Sequence, residues 1–142
     1  MKKIFSITIV ALSFLLINNL AIAQCGDTKT AKADCNSDKA KIAVVKFHAD
    51  YCGACKNLEP KISTLKGKFD ESVVFVKFDF TTDASKANTK KMAAEQGLKT
   101  VLESNSGTGY IVLYDLKTKK VLASLDNSLS EADMEKTIKN YL

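Results

Sequence analysis

The segment that most constrains the fold covers residues 42–56, IAVVKFHADYCGACK, where an apolar, β-branched run leads directly into two cysteines. A short, continuous run of this kind is typical of a buried central strand. Cys52 and Cys55 are separated by two residues, and a helix that begins at the pair offers free N–H groups and a positive dipole end to the first sulfur. This environment favours the thiolate, which is the nucleophile of disulfide exchange, so the segment predicts redox chemistry.

Residues 1–23 have the pattern of a signal peptide rather than of a part of the fold. A short basic region and an apolar run over residues 4–17 precede Ala21-Ile22-Ala23, which matches the small-x-small rule for signal peptidase. We therefore expect export, with cleavage after Ala23, to the periplasm or the medium. The apolar run is too short for a membrane anchor, and a lipoprotein signal would need a small residue where the chain has Gln24.

The composition of the mature chain fits one domain without a nucleic-acid partner. Residues 24–142 number 119, enough for one hydrophobic core, and we divide them into a polar N-terminal segment, 24–40, and a folded domain, 41–142. All 21 basic residues of the chain are lysines and aromatic residues make up only 8%, which gives nucleic-acid recognition little support. We expect a monomer.

All four cysteines lie in the predicted mature chain. In an oxidising compartment such residues are either paired or held reduced by a dedicated system. Cys25 and Cys35, with nine residues between them in the polar segment, are candidates for a structural disulfide that closes a small loop. The alternative is that they are two unrelated thiols.

Hydrophobic periodicity predicts an α/β fold with the element order β-α-β-α-β-β-α. Strands joined through helices should be parallel and the last pair antiparallel, which gives a mixed four-stranded sheet with helices on both faces. The predicted elements are a strand over 42–48, a helix from the cysteine pair to 67–70, a strand over 73–80, a helix over 83–96, a loop over 98–109, strands over 110–115 and 121–125, and a terminal helix.

Two of the predicted helices carry an apolar face. The helix after the cysteines contains Pro60, where the missing backbone donor should kink it. Four apolar residues of this helix fall on one stripe with a period of 3.6: Leu58, Ile62, Leu65 and Phe69. The inner face of the terminal helix should carry Met134, Ile138 and Tyr141.

With this order of elements in place, Tyr51-Cys52-Gly53-Ala54-Cys55-Lys56 resembles the aromatic-C-G-P-C-K motif of the thioredoxin family, and the chain resembles an exported thioredoxin-like protein with a CGAC active site. Phe47 fits the approach to the motif, Pro60 falls where thioredoxins carry their helix-kinking proline, and Lys77 matches a lysine of their next strand. The resemblance covers about residues 40–142. It implies the thioredoxin fold and a thiol–disulfide oxidoreductase.

The resemblance also implies roles for the residues of the motif. Cys52 would be the attacking thiol and Cys55 the resolving thiol, so that Cys52–Cys55 is the redox-active disulfide. Tyr51 would shield the site and pack against the partner, Lys56 would favour the Cys52 thiolate, and the pair Gly53-Ala54 would tune its pKa.

The expected activity needs no bound cofactor and no metal. Its substrates would be the thiols and disulfides of other proteins, and a membrane or exported redox partner would re-reduce or re-oxidise the site. Such an enzyme serves the redox homeostasis of its compartment. We expect a reductase rather than an oxidase, because the chain has no room for the helical insertion that exported oxidases often carry.

Three departures from the family pattern change the expected tuning of the site. Ala54 replaces the proline of the motif, and Lys46 stands where thioredoxins have a buried acid. Glu59, one turn into the helix, is a candidate to pair with Lys46 and to assist proton transfer in its place. The cis-proline that faces the cysteines is absent, and Thr108 or Gly109 takes its position. A cis bond before a non-proline residue costs about 2.5–4 kcal/mol, so we expect a trans bond there, in a loop that still offers backbone groups to a substrate.

The sequence also allows other functions for these cysteines. Cys52 and Cys55 would form a structural disulfide in a redox-inactive binding module. They would hold copper in a thioredoxin-fold chaperone if His48, a third soft ligand on the adjacent strand, joined them. A zinc site would need all four cysteines, and their spacing fits no compact ribbon.

Overall fold

The computed structural model describes residues 38–142, and within them the predicted α/β fold with a mixed four-stranded sheet is confirmed. Residues 1–37 lie outside the described part. The predicted signal peptide, most of the polar segment 24–40 and the candidate disulfide between Cys25 and Cys35 therefore lie outside it as well.

The described part of the chain alternates strands and helices as predicted, with one addition. The strands are β1 (Ile42–His48), β2 (Val73–Asp79), β3 (Tyr110–Asp115) and β4 (Lys120–Asp126). The helices are α1 (Gly53–Lys66), α2 (Asp83–Glu95), α3 (Lys99–Glu103) and α4 (Glu131–Lys139). The prediction of an uninterrupted loop over 98–109 is wrong, because α3 forms there. Its Val101 and the preceding Leu98 are fully buried, and this burial stabilises a helix of only five residues.

The sheet has the strand order β2-β1-β3-β4. β1 runs parallel to β2, with His48 opposite Asp79, and antiparallel to β3, with Phe47 opposite Tyr110. The prediction that strands joined through helices are parallel is therefore wrong for β2 and β3. The connection between them starts after Asp79 and ends before Tyr110, at the same end of the sheet, so β3 enters from that end and runs back.

Apolar cores cover both faces of the sheet. Successive residues of β1 alternate between them: Val44 packs with the buried residues of α1 and α4, and Val45 packs with those that lie against α2 and α3. The predicted stripe of α1 is confirmed for Leu58, Ile62 and Leu65, which are fully or almost fully buried, whereas Phe69 lies beyond the end of the helix and packs against the same core from there. Lys46 follows on the α1 face of β1, with only 4% of its surface exposed.

The predicted inner face of the terminal helix is confirmed for two of its three residues. Met134 and Ile138 are fully buried, whereas Tyr141 is 42% exposed, so its predicted place on that face is wrong. α4 ends at Lys139, and the Tyr141 hydroxyl instead donates a hydrogen bond to the carbonyl of Leu122 on β4. Because β4 is an edge strand, this contact leaves the ring at the surface of the domain.

Candidate active site

The two cysteines of the motif form a disulfide at the start of α1. Four residues after β1 ends at His48, Cys52 is the N-cap of the helix, and its Cα lies 5.2 Å from that of Cys55. The backbone N–H of Cys55 donates to Cys52 Sγ over 3.1 Å. A helix N-terminus and an N–H donor at the sulfur both stabilise negative charge, so this site favours the thiolate of Cys52 in the reduced protein.

The two sulfurs differ in their access to solvent. Cys55 is fully buried, and its Sγ lies 3.6 Å from the carbonyl oxygen of Phe47 on β1. Cys52 is partly exposed, and its neighbour Tyr51 is 74% exposed. Gly53 and Lys56 are exposed and Ala54 is partly exposed. A reagent or a partner protein thus reaches Cys52 first, across a surface with an exposed aromatic ring.

An ion pair joins β1 to α1 beneath the disulfide. The Lys46 ammonium donates a hydrogen bond to the Glu59 carboxylate, as the sequence predicts, and Glu59 lies one helical turn after Cys55. The Lys46 side chain is almost fully buried, whereas 63% of the Glu59 side chain is exposed. The hydrogen bond from Lys46 lowers the pKa of Glu59, and the charges of Lys46, His48 and Lys77 add to this effect against partial burial. The carboxylate is therefore ionised at neutral pH.

The loop that leads into β3 faces the disulfide with a trans backbone. No peptide bond within residues 38–142 is cis, which confirms the expected trans bond at this position. Gly109 lies directly against the pair. It has φ +96°, its N–H donates to the Phe47 carbonyl over 2.8 Å, and a Cβ there would lie 2.7 Å from Ala54 Cβ and 3.2 Å from Cys52 Sγ. Only glycine fits this approach without strain.

His48, the remaining candidate metal ligand of the described residues, contacts an acid rather than a thiol. Its Nε2 lies 3.0 Å from Asp50 Oδ1, and its Nδ1 is buried without a hydrogen-bond partner. Over residues 38–142, no group of three or more His, Cys, Asp or Glu side chains is arranged to hold a metal ion. A zinc site would also need Cys25 and Cys35, which lie outside that range.

Tyr110, which lies beside this site without contacting the cysteines in any bond described, is a neighbour that sequence reasoning missed. Its hydroxyl donates a hydrogen bond of 2.9 Å to the carbonyl of Ser106, and its ring stacks on Phe47 with a centroid distance of 4.8 Å. A signal for it exists in the sequence, since an aromatic residue directly follows the Gly109 that faces the cysteines. The sequence alone does not reveal that the hydroxyl turns back to the loop.

None of the helices in the described part is long and apolar enough to cross a membrane.

Comparisons with known proteins agree with this geometry. Residues 25–107, which include both cysteines of the site, match the sequence model of the thioredoxin family. A segment of 65 residues is 37% identical to Thioredoxin H8 of Arabidopsis thaliana, and this match covers 44% of the chain and 43% of that protein. The chain thus spans less than half the length of the curated relatives it matches.

Two of the solved structures that are similar to this chain are malarial proteins. A malarial protein superposes with a TM-score of 0.51 at 22% identity, over 72% of this chain and 98% of that one. Thioredoxin-2, described as a component of the parasite's protein secretion machinery, superposes with a TM-score of 0.51 at 22% identity, over 70% of this chain and 82% of that one. At such low identity these two structures show the fold, which is the thioredoxin fold.

Proposed function

The chain belongs to the thioredoxin family, and from this premise we propose that it is an exported thiol–disulfide oxidoreductase that reduces disulfides of other proteins. One observation carries the proposal: the disulfide joins a partly exposed Cys52 at a helix N-terminus to a fully buried Cys55. This arrangement separates an attacking sulfur from a resolving one. Thiol–disulfide exchange is also the activity that its relatives support at the level of the family.

The proposed reaction has two exchange steps. In the reduced protein the Cys52 thiolate attacks one sulfur of a substrate disulfide, which forms a mixed disulfide and releases the first substrate thiolate. The Cys55 thiolate then attacks Cys52 Sγ, which breaks the mixed disulfide and releases the second thiolate. The substrate gains two electrons and two protons, and the protein is left with the Cys52–Cys55 disulfide seen in this structure.

Three neighbours of the pair support the first step. Lys56 and the N-terminus of α1 favour the Cys52 thiolate, and the exposed ring of Tyr51 offers a contact to the partner. Gly53 keeps the approach open, since a Cβ at its position would meet no atom within 4 Å. On the other side of the sulfur, the backbone at Thr108 and Gly109 is the surface against which a substrate chain would lie.

The ion pair of Lys46 and Glu59 supports the second step. Cys55 must lose its proton before it attacks, and burial alone raises the pKa of a thiol. The Lys46 side chain lies on β1 next to Phe47, whose carbonyl contacts Cys55 Sγ, so its charge favours the thiolate of that sulfur. The Glu59 carboxylate compensates the charge of the buried ammonium and, because it is exposed, gives the Cys55 proton a route to solvent.

Export and the direction of electron flow are further parts of the proposal. The signal-peptide pattern of residues 1–23 supports export, and the four residues between β1 and α1 leave no room for the insertion that exported oxidases often carry. Export is tested by the N-terminus of the mature protein, which should be Gln24. A mature protein that retains residues 1–23 in the cytoplasm would contradict it.

The direction is tested by the reduction potential of the Cys52–Cys55 pair in glutathione buffers. A reductase should have a value near that of thioredoxin, about −270 mV, whereas a value near −120 mV would indicate an oxidase. The activity itself is tested by the reduction of insulin disulfides with dithiothreitol as electron donor. The protein should accelerate this reaction and Cys52→Ser should abolish the acceleration, whereas a protein with a merely structural disulfide would not accelerate it.

A further inference from the structure

The conformation of the loop beside the reactive sulfur is held by hydrogen bonds rather than by a proline. It runs from the end of α3 to the start of β3 and contains Gly107 and Gly109, both with positive φ. Glycines at such positions give a free loop many alternative conformations. Because the backbone at Gly109 lies against Cys52 Sγ, the conformation of this loop decides what a substrate meets at the sulfur.

The Tyr110 hydroxyl reaches back across the two glycines of the loop. It donates to the Ser106 carbonyl over 2.9 Å, and so closes the segment 106–110 on itself. The N–H of Gly109 donates to the Phe47 carbonyl and fixes the far end of the same segment to β1. The segment is therefore held at two points, one of which depends on a single hydroxyl.

The ring that carries this hydroxyl is itself held by packing. Tyr110 stacks on Phe47 at a centroid distance of 4.8 Å and an interplanar angle of 11°, and Phe47 stacks in turn on Phe80 at 5.9 Å. The three rings come from β3, from β1 and from the residue that follows β2. They lie at the end of these strands near which the disulfide lies. Burial raises the pKa of the Tyr110 hydroxyl, which keeps it protonated and able to donate at neutral pH.

We propose that Tyr110 is a positioning residue, whose hydroxyl holds the loop 106–109 in the conformation that receives a substrate peptide beside Cys52. The proposal rests on the proposed disulfide exchange. A substrate that lays its backbone along the loop needs the loop ordered in advance, since ordering it on binding would cost affinity. A small disulfide without a peptide backbone needs only the Cys52 sulfur, so its reduction should not depend on the conformation of the loop.

The test compares Tyr110→Phe with Tyr114→Phe on two substrates, insulin and 2-hydroxyethyl disulfide. Tyr114 is the matched control, because it lies on the same face of β3, four residues further along, and hydrogen-bonds the side chain of Thr100 away from the cysteines. For Tyr110→Phe we expect the KM for insulin to rise about threefold to tenfold, as the loss of one hydrogen bond predicts. Its kcat with 2-hydroxyethyl disulfide should match that of the wild type.

A second measurement reads the loop directly. Hydrogen exchange of the Gly109 amide should become faster in Tyr110→Phe and stay unchanged in Tyr114→Phe at equal thermal stability. The inference is overturned if Tyr110→Phe leaves both the KM for insulin and this exchange rate unchanged. It is equally overturned if the variant slows both substrates alike, or if Tyr114→Phe raises the KM as much. A wild-type protein that reduces neither substrate would instead overturn the proposed function.

Discussion

The ammonium of Lys46 and the carboxylate of Glu59 form an ion pair between β1 and α1, one helical turn beyond the buried Cys55. The partners have unequal surroundings, since 5% of the Lys46 side chain and 63% of the Glu59 side chain are exposed. Burial of a charge without a partner is costly, so the exposed carboxylate of Glu59 compensates the charge of the buried ammonium. The chain thus has a buried lysine in an ion pair where the family pattern places a buried acid.

Removal of the Glu59 charge should slow the step that needs the Cys55 thiolate. In Glu59→Gln, the buried Lys46 loses its carboxylate partner and the Cys55 proton loses its proposed route to solvent, so the oxidation of the Cys52/Cys55 dithiol should be slower by roughly tenfold, or about 1.4 kcal/mol of activation free energy. Stopped-flow oxidation of the reduced protein measures this rate. Glu71→Gln is the matched control, because it removes a carboxylate from the exposed pair with Lys39. An unchanged rate in Glu59→Gln would refute the proposed role of the pair.

Removal of the buried lysine should lower the reactivity of Cys55 while it leaves the stability of the fold nearly unchanged. Lys46→Met takes away a buried charge and leaves behind only Glu59, which water solvates, so the free energy of unfolding should stay within about 1 kcal/mol of the wild type or rise. The reactivity of Cys55 should fall, because its thiolate loses a nearby cation. Denaturant unfolding of the oxidised protein measures the first effect. A loss of about 3–5 kcal/mol, the value for a broken buried pair, would contradict this account.

Acid should weaken the contacts of α4 through Glu135. Hydrogen bonds from Lys139 and Lys68 lower the pKa of Glu135 from 4.5 to about 2. A lowered carboxyl pKa contributes stability that is fully present above pH 4.5 and is lost as the pH falls towards 2. Glu135→Gln should therefore have a lower Tm than the wild type at pH 7, and the two Tm curves should converge near pH 2. A Tm difference that is constant from pH 7 to pH 2 would exclude this origin.

A comparison of two glycine substitutions distinguishes the effect of the contact between Gly109 and the disulfide from the effect of backbone strain. Gly107→Ala and Gly109→Ala both place a side chain at positive φ, which costs about 1–2 kcal/mol for a residue other than glycine. Only at position 109 would the Cβ meet Ala54 and Cys52, whereas nothing lies within 4 Å at position 107. Gly109→Ala should thus lose more stability than Gly107→Ala and should also slow alkylation of Cys52. Equal effects on both measurements would indicate strain alone.

The position of the cysteine pair was predictable because its signals are local. The apolar strand, the two cysteines and the start of the helix all lie within residues 42–56, and the burial of Cys55 follows from its place one turn inside α1. The partnership of Lys46 with Glu59 was predictable for a similar reason. The two residues lie on adjacent elements joined by four residues, and an almost buried lysine needs a carboxylate within reach.

The features that the sequence did not reveal depend on distant parts of the chain. The direction of β3 follows from where the connection over 80–109 returns, which no local pattern encodes. The helix α3 has too few residues for a hydrophobic period, and the burial of Val101 against the sheet stabilises it. Gly109 approaches Cys52, which lies 57 positions earlier in the sequence, and the Tyr110 ring that directs its hydroxyl to Ser106 stacks on Phe47 of a strand distant in sequence.

The most direct test of the central claim is to trap the mixed disulfide. Reduced Cys55→Ser should react with insulin and stop at a covalent complex through Cys52, because the sulfur that resolves it is gone. Mass spectrometry should find this complex and show that dithiothreitol releases it, while Cys52→Ser should form none. If Cys55→Ser forms no complex, or if Cys52→Ser forms it equally well, disulfide exchange through an attacking Cys52 is contradicted.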